Sequence, residues 1–319
     1  MWSVCRGLEA VFSSTGFRIR AAQGQAASHG LTEHGFAGWA ERVVASLFFS
    51  FFPSDCRICN SPLIEVSRLP VCANCVHSLR PLAGSFCAVC GEVLNLPAWT
   101  EGAEARCALC QRTDPPFERA VAYGSYDGGL RDLIHVLKFQ QVRTAAGVLG
   151  RMLAETVGNL EPAMPVGRLA VVPVPLHRRK QRQRGFNQAE MIARTALKNL
   201  ARPERFELCT GILLRRRETG SQIGLTRHQR RVNMRGAFAV SDPARILNRD
   251  IVLVDDVFTT GTTASECATV LLRVGAARVW VATVARTLKI SGGISLLEEA
   301  PEDSLRDEVE DRSSMAASG

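Results

Sequence analysis

Eight of the eleven cysteines in the chain stand in four Cys-x-x-Cys pairs: Cys56 with Cys59, Cys72 with Cys75, Cys87 with Cys90, and Cys107 with Cys110. Twelve residues separate the first two pairs and sixteen the last two. Two knuckles that far apart can bring four sulfurs to the corners of a tetrahedron, the arrangement Zn²⁺ takes in a closed structural site. The first knuckle is expected to pair with the second and the third with the fourth. An interleaved pairing satisfies the same spacing, and an iron–sulfur cluster is an alternative occupant of four thiolates. Closed sites make the metal structural, and a segment this small, with short apolar runs, needs it to fold. A dithiol redox role would need one such pair in a βαβ setting, which is absent. Cys5, Cys209 and Cys267 fall outside the scheme, Cys267 as a small apolar residue on a buried helix face, and His77 is not needed as a ligand.

A second constellation lies in IVLVDDVFTTGTTASE, residues 251–266. An apolar strand ends in two carboxylates, Asp255 and Asp256, and a Thr/Gly loop then opens a helix. Backbone N–H groups at the helix start, with the hydroxyls of Thr259, Thr260, Thr262 and Thr263, can surround a phosphate, and Gly261 allows close backbone approach. The carboxylates just upstream can accept hydrogen bonds from a vicinal diol. A phosphate beside a diol describes a ribose 5-phosphate. The plainer account is a Thr-capped helix after an Asp-ended strand, but two acids plus TTGTT in a strand–loop–helix setting is a more specific pattern than that requires.

The third feature is charge. Sixteen Lys and Arg against four Glu lie between Leu176 and Arg235, whereas residues 298–319 hold eight acids and two bases. The formal +8 of the whole chain is therefore concentrated in one stretch, which suits a phosphate-bearing partner. Within it VVPVPLHRRKQRQRGFNQ sets a Pro-bounded loop and Arg178, Arg179, Lys180, Arg182 and Arg184 at a strand end, where a pyrophosphate could sit.

The elements that must position these groups follow from periodicity. Residues 1–37 are Gly-, Ala- and Ser-rich and read as a loose extension, and a short helix through Trp39 to Phe52 leads into a cysteine module over 38–114. ERAVAYGSY reads as a strand; Leu130, Leu133, Ile134 and Leu137 recur at helical spacing, and a second helix covers about Thr144 to Val157. LAVVPVP is a strand, and Asn187 with Glu190 forms a capping box for a helix to about Ala201. The apolar strand Ile251 to Val254, a helix with Cys267, Val270, Leu271 and Val274 on one face and Gly275 at its C-cap position, and the strand RVWVATVAR complete the series. Strands apolar on both faces with helical crossovers predict a parallel sheet covered on both sides, over 115–287. The acidic, Ser-rich 288–319 reads as a disordered tail.

The pattern DDVFTTGTT resembles the signature of type I phosphoribosyltransferases, which bind 5-phosphoribosyl 1-pyrophosphate (PRPP) with Mg²⁺. That resemblance implies that Asp255 and Asp256 hold the ribose hydroxyls and that Thr259, Thr260, Gly261, Thr262 and Thr263 hold the 5′-phosphate. It also implies that Arg178, Arg179, Arg182 and Arg184 bind pyrophosphate. RRRETGSQIGLTRHQRRVN resembles the mobile catalytic loop of that fold, which makes Arg230 and Arg231 the catalytic candidates. In the purine-salvage branch the position of Thr259 is an Asp, so an oxopurine acceptor is disfavoured. With the cysteine pairs upstream, the order of parts is similar to the ComF family and its GntX-like members: a double zinc ribbon, Leu137 to Phe139, RGFNQ, the run from Thr219 through Gln222, Leu225 and Arg230 to Asn233, and DDVxTTGxT. The match covers about residues 47–287 and implies a part in natural transformation.

Two function classes follow. The first is a Mg²⁺-dependent phosphoribosyl transferase with an unidentified acceptor. The second is a zinc-ribbon accessory protein that contacts single-stranded DNA or DNA-uptake proteins and uses PRPP as a regulatory ligand; few aromatic residues interleave the basic ones to stack bases. Composition, 46% hydrophobic and 22% charged, excludes disorder and fibrous repeats for the whole. The longest apolar run, residues 43–52, is too short for a membrane span. The N-terminus lacks a secretory pattern, which points to a reducing cytoplasm, with an organelle transit peptide as the alternative for the first twenty residues.

Overall fold

The computed structural model describes residues 55–63, 67–94, 105–217 and 227–288. The expected N-terminal extension, the helix through Trp39 to Phe52 and the acidic tail after Leu288 lie outside these residues. In chain order the elements are α1 (Ala73–Ser78), β1 (Ser85–Phe86), β2 (Val93–Leu94), α2 (Ala108–Arg112), β3 (Arg119–Ser125), α3 (Gly128–Lys138), α4 (Ala145–Leu160) and β4 (Leu169–Pro173). There follow α5 (Arg178–Arg184), α6 (Gln188–Leu197), β5 (Phe206–Leu208), β6 (Leu213–Arg215), α7 (Arg227–Met234), β7 (Phe238–Val240), β8 (Asp250–Phe258), α8 (Thr262–Arg273) and β9 (Arg278–Arg286).

Five strands form one sheet in the order β3-β9-β8-β4-β5, every neighbouring pair parallel. The apolar runs explain why it is covered twice. Alternation along β8 and β9 sends Val252, Val254, Trp280 and Ala282 into a core with α3, α4 and α6, and Ile251, Leu253, Val279 and Val281 into a second core with α8 and the antiparallel pair β6 and β7. Fold class is therefore as expected: a parallel α/β sheet with helices on both faces, preceded by two cysteine ribbons.

Four local expectations change. The basic run is not a loop: residues 178–184 are helical, because Arg, Lys and Gln are good helix formers and the run is closed by His177 as N-cap and Gly185 in the left-handed conformation. Asn187 caps α6 by accepting from the Ala189 N–H, but Glu190 pairs with Arg194 one turn on, so no capping box closes. That helix ends at Leu197, where the Asn199 side chain donates to the Thr195 carbonyl. Finally, β8 does not end at Val254; its parallel ladder with β9 stays in register to the pair Phe258 and Arg286, which holds both aspartates in extended chain.

The ribbons and the sheet do not have separate cores. Cys56, Val71 and Leu79 of the first ribbon belong to the core beneath α3 and α4, and Cys87, Val89, Cys90, Cys107 and Cys110 belong to the core on the α8 face. Both ribbons also hydrogen-bond to the edge strand β3, through Leu82 N–H to Tyr123 O and Ala120 N–H to Val89 O. A ribbon of this size has too little interior to bury its own apolar residues, and an uncovered sheet edge is a liability, so each offsets the other's deficit.

Candidate functional site

The cysteines gather into two groups, Cys56, Cys59, Cys72 and Cys75, and Cys87, Cys90, Cys107 and Cys110, the sulfurs of each lying within 4.8 Å of one another. First pairs with second and third with fourth; the interleaved alternative is not what the fold builds. The two ribbons are local copies. In each, the residue after the second cysteine has positive φ, Asn60 and Gly91, and the third cysteine, Cys72 or Cys107, precedes a short helix. Sulfur separations are 3.9 Å for Cys56–Cys75, 3.7 Å for Cys59–Cys72 and 3.6 Å for Cys90–Cys107. A tetrahedron of sulfurs at zinc's bond length has edges of about 3.8 Å, so the donor set fits structural zinc. Backbone N–H groups point at the sulfurs, Cys72 N to Cys56 Sγ and Cys107 N to Cys87 Sγ, both 3.3 Å. Ser61, through its hydroxyl and backbone N–H, brings Cys59 down to about 6. Burial pushes Cys87 up, but backbone N–H groups of Cys90 and Cys107 outweigh it and leave it at about 7. Burial pushes Cys90 to about 11. Four sulfurs this close cannot all ionise alone, and a dication removes that conflict.

At the carboxyl edge of the sheet, β8 leads into the Thr259–Gly261 turn and α8. Gly261 is the N-cap residue at φ +75°, and no side chain caps the helix. A Cβ on Gly261 would lie 2.7 Å from the Phe258 ring, so glycine is required by the turn itself, over and above any room for a ligand. The threonine hydroxyls do not cap the helix as the plainer account supposed; Thr260 and Thr262 bond each other at 2.8 Å. The first-turn N–H groups of a twelve-residue helix thus have no side-chain cap, beside several hydroxyls, which is an anion-binding arrangement.

The two aspartates do not face the same way. Asp255 follows Ile251 and Leu253 toward α8 and Cys267, a thiol that burial pushes far up. Asp256 follows Val252 and Val254 toward α3, and its Oδ2 lies 2.5 Å from Lys138 Nζ in an ion pair. Side-chain exposure is 16% for Lys138 and 6% for Asp256. Burial would raise Asp256, but the Lys138 charge outweighs it and holds the carboxyl below its usual range. Burial, then the Asp256 charge, push Asp255 well up. The pair is thus driven apart, Asp256 toward its charged form and Asp255 toward its protonated form, a split that adjacent carboxylates favour.

Two sequence segments converge on Asp256. The Leu137 to Phe139 segment supplies Lys138 and Phe139, and the Arg184 guanidinium lies 5.3 Å over the Phe139 ring while donating to Gln188. Arg143 covers Phe186 and reaches the Gly185 carbonyl, and Asn187 donates to the Val174 carbonyl at the end of β4. The helical period of α5 separates the four arginines. Arg184 is half-buried toward Phe139; Arg178, Arg179 and Arg182 are exposed. Arg178 lines a different cavity of about 550 Å³ with His177, Arg215 and Arg216. Arg230 sits half-buried on α7, a helix that replaces part of the expected loop, and residues 218–226 and the Arg231 side chain lie outside the described residues.

Sequence reasoning missed three groups. Lys138 lies inside the Leu137 to Phe139 segment, and a lysine amid apolar helical residues is the signal that marks it. Tyr126 bonds His135 at 3.0 Å beneath the same site. Arg286, ending an apolar strand, is 2% exposed and bonds the Cys90 carbonyl and Glu92. Among the described residues no helix is long and apolar enough to cross a membrane.

No family model matches the chain. It is 34% identical over 239 residues to the DNA utilization protein YhgH of Escherichia coli K12, covering 74% of this chain and 98% of that one. It is 28% identical to competence protein F of Haemophilus influenzae, covering 74% and 99%, and 26% identical to competence protein ComFC of Bacillus subtilis, covering 65% and 80%. Among solved structures, a Staphylococcus aureus hypoxanthine phosphoribosyltransferase aligns at 12% identity and TM-score 0.29, over 44% of this chain and 64% of that one. A glutamine PRPP amidotransferase from B. subtilis aligns at 24% and 0.26, over 44% and 26%.

Proposed function

The chain belongs to the ComF family, and from that premise we propose that it binds PRPP at the β8–α8 loop as a Mg²⁺-dependent phosphoribosyl transferase serving DNA utilisation. The observation that carries this reading is the grouping of Asp256, Lys138 and Arg184 where β8 ends, a few residues before an uncapped, hydroxyl-rich helix start. The loop N–H groups and Thr259, Thr260, Thr262 and Thr263 would take the 5′-phosphate, and Asp256, with Asp255 as its neighbour, the ribose hydroxyls. Breaking the C1–oxygen bond leaves positive charge on the ribose ring and negative charge on pyrophosphate. Arg184 and Lys138 stand on the side of Asp256 where that negative charge can be met, and the exposed Arg178, Arg179 and Arg182 can collect the departing anion.

Magnesium has no ready cage here. Among the described residues the only clusters of three or more metal-ligating side chains are the two cysteine groups, and Asp256 is already neutralised by Lys138. Mg²⁺ would arrive on the pyrophosphate, whose charge it offsets when bound. The cysteine groups would each hold one Zn²⁺, and keeping eight sulfurs as ligands fits the reducing cytoplasm that we assign.

The test is calorimetry of the protein with PRPP, with and without Mg²⁺, followed by incubation with a metabolite extract. Binding that needs Mg²⁺, with pyrophosphate release and a new ribosylated mass, is expected; no binding in either condition overturns the reading. A second reading is favoured by the relatives' names, which speak of DNA utilisation and competence. In it PRPP regulates contact between the basic stretch and single-stranded DNA. PRPP that changes DNA affinity without pyrophosphate release would select it.

A further inference from the structure

The second ribbon is physically continuous with the phosphate loop. Arg286, the last residue of β9, is 2% exposed, yet it carries a full charge. Its Nη1 donates to the Cys90 carbonyl at 2.5 Å and its Nη2 to Glu92 Oε2 at 2.8 Å, both in the turn that follows the third knuckle. Its Nε has no hydrogen-bond partner. The guanidinium lies 5.4 Å from the centre of the Phe258 ring. That ring meets Phe117 edge-on at 6.3 Å and is the surface on which Gly261 turns, at a spacing that leaves no room for a Cβ. The Thr287 N–H holds the Phe258 carbonyl at 3.0 Å. Between ribbon and loop lies a cavity of about 330 Å³, lined from one side by Cys90, Glu92 and Cys110 and from the other by Thr259 to Thr262, with Arg286 in its wall.

We propose that the second cysteine ribbon is a working part of the phosphate site, and that Arg286 is the positioning residue through which an assembled ribbon sets the loop for a ribose phosphomonoester. This deepens the PRPP reading and rests on it for the identity of the ligand. The physical argument is one of mutual dependence. Arg286 stays buried because the ribbon turn supplies a carbonyl and a carboxylate; without them it would be an unpaired buried charge and would have to leave. Its departure would remove the cation from Phe258 and free the ring that defines the Gly261 turn, so the loop N–H groups would lose their common focus. The first ribbon has no such route, since its cysteines pack against the core on the opposite face of the sheet.

The experiment compares full-length Arg286→Met, Glu92→Gln, Cys110→Ser and, as the first-ribbon control, Cys59→Ser. Readouts are ribose 5-phosphate affinity, amide exchange of residues 258–263, and zinc content. Loss of a charge-assisted contact predicts that Arg286→Met, Glu92→Gln and Cys110→Ser each weaken binding by about tenfold or more and speed exchange of the loop. Cys59→Ser should change both by less than about twofold. Glu92→Gln keeps the shape of the site and all eight sulfurs, so it serves if Arg286→Met does not fold. Wild-type affinity and exchange in Glu92→Gln, or an equal effect from Cys59→Ser, overturns the proposal. If the wild type binds neither ribose 5-phosphate nor PRPP, the PRPP reading fails, and loop exchange alone still decides whether the ribbon sets the loop.

Discussion

Replacing Lys138 by Met should be among the most damaging single changes at the site, and the reason can be worked from the geometry. Lys138 Nζ and Asp256 Oδ2 are 2.5 Å apart with side-chain exposures of 16% and 6%, so solvent screens the pair little. Lys138→Met leaves a buried carboxylate beside a second acid, which costs about 3–5 kcal/mol when the partner is removed alone. At about 2–4 °C per kcal/mol for a domain of this size, the melting temperature should fall by roughly 6–20 °C. The double variant Lys138→Met/Asp256→Asn removes both charges and should recover most of that loss, giving a coupling of about 2 kcal/mol or more in a double-mutant cycle. The pH dependence has a definite sign. In the wild type Asp256 sits below its unfolded value, so its contribution is present above about pH 4 and lost as pH falls through the lower folded value. In Lys138→Met the same carboxyl rises above its unfolded value. The folded state then takes up a proton more readily, and the deficit is largest at neutral pH and shrinks on acidification. Thermal and urea denaturation between about pH 4 and pH 8 measures this. Additive single effects within about 0.5 kcal/mol, or a deficit that does not vary with pH, would refute the reasoning.

Elemental analysis should find two Zn²⁺ per chain; because the ribbons share the sheet's cores, Cys72→Ser and Cys110→Ser should both lower the stability of the whole described body in one transition, and an unchanged sheet transition would count against shared cores. Gly261→Ala places a Cβ into the Phe258 ring at positive φ, so it should cost about 1–2 kcal/mol in stability and weaken PRPP in a titration. Asp256→Asn should weaken PRPP by about 10- to 100-fold, the worth of a hydrogen bond to a charged group; unchanged affinity removes Asp256 from the site. Among the α5 arginines, Arg184→Gln should carry most of the loss in PRPP affinity, whereas the triple change of Arg178, Arg179 and Arg182 to Gln should flatten the salt dependence of any DNA binding by about 0.7–0.9 per lost contact. The reverse pattern in a filter-binding salt series would reassign them.

What could be read from sequence was whatever depends on near neighbours along the chain. Cys-x-x-Cys spacing specifies a knuckle, the apolar run ending in Asp255 and Asp256 specifies a strand entering a turn, and Leu130, Leu133, Ile134 and Leu137 specify a helix face, because each is set by the local period of the backbone. What the tertiary structure decided was every relation between segments far apart in the chain. Which knuckles come together was decided by each cysteine segment folding back on itself into a four-sulfur group. That Asp255 and Asp256 face opposite ways depended on β8 staying paired with β9 through Phe258, since an extended strand alternates and a loop need not. Lys138 became the partner of Asp256, and Arg286 of Cys90 and Glu92, only because parallel strands bring their carboxyl ends to one edge, where residues 118 and 196 positions apart become neighbours. Spacing along the chain carries no information about such pairs, because what selects them is the cost of leaving a buried charge without a partner, and burial exists only once the sheet and its two cores are assembled.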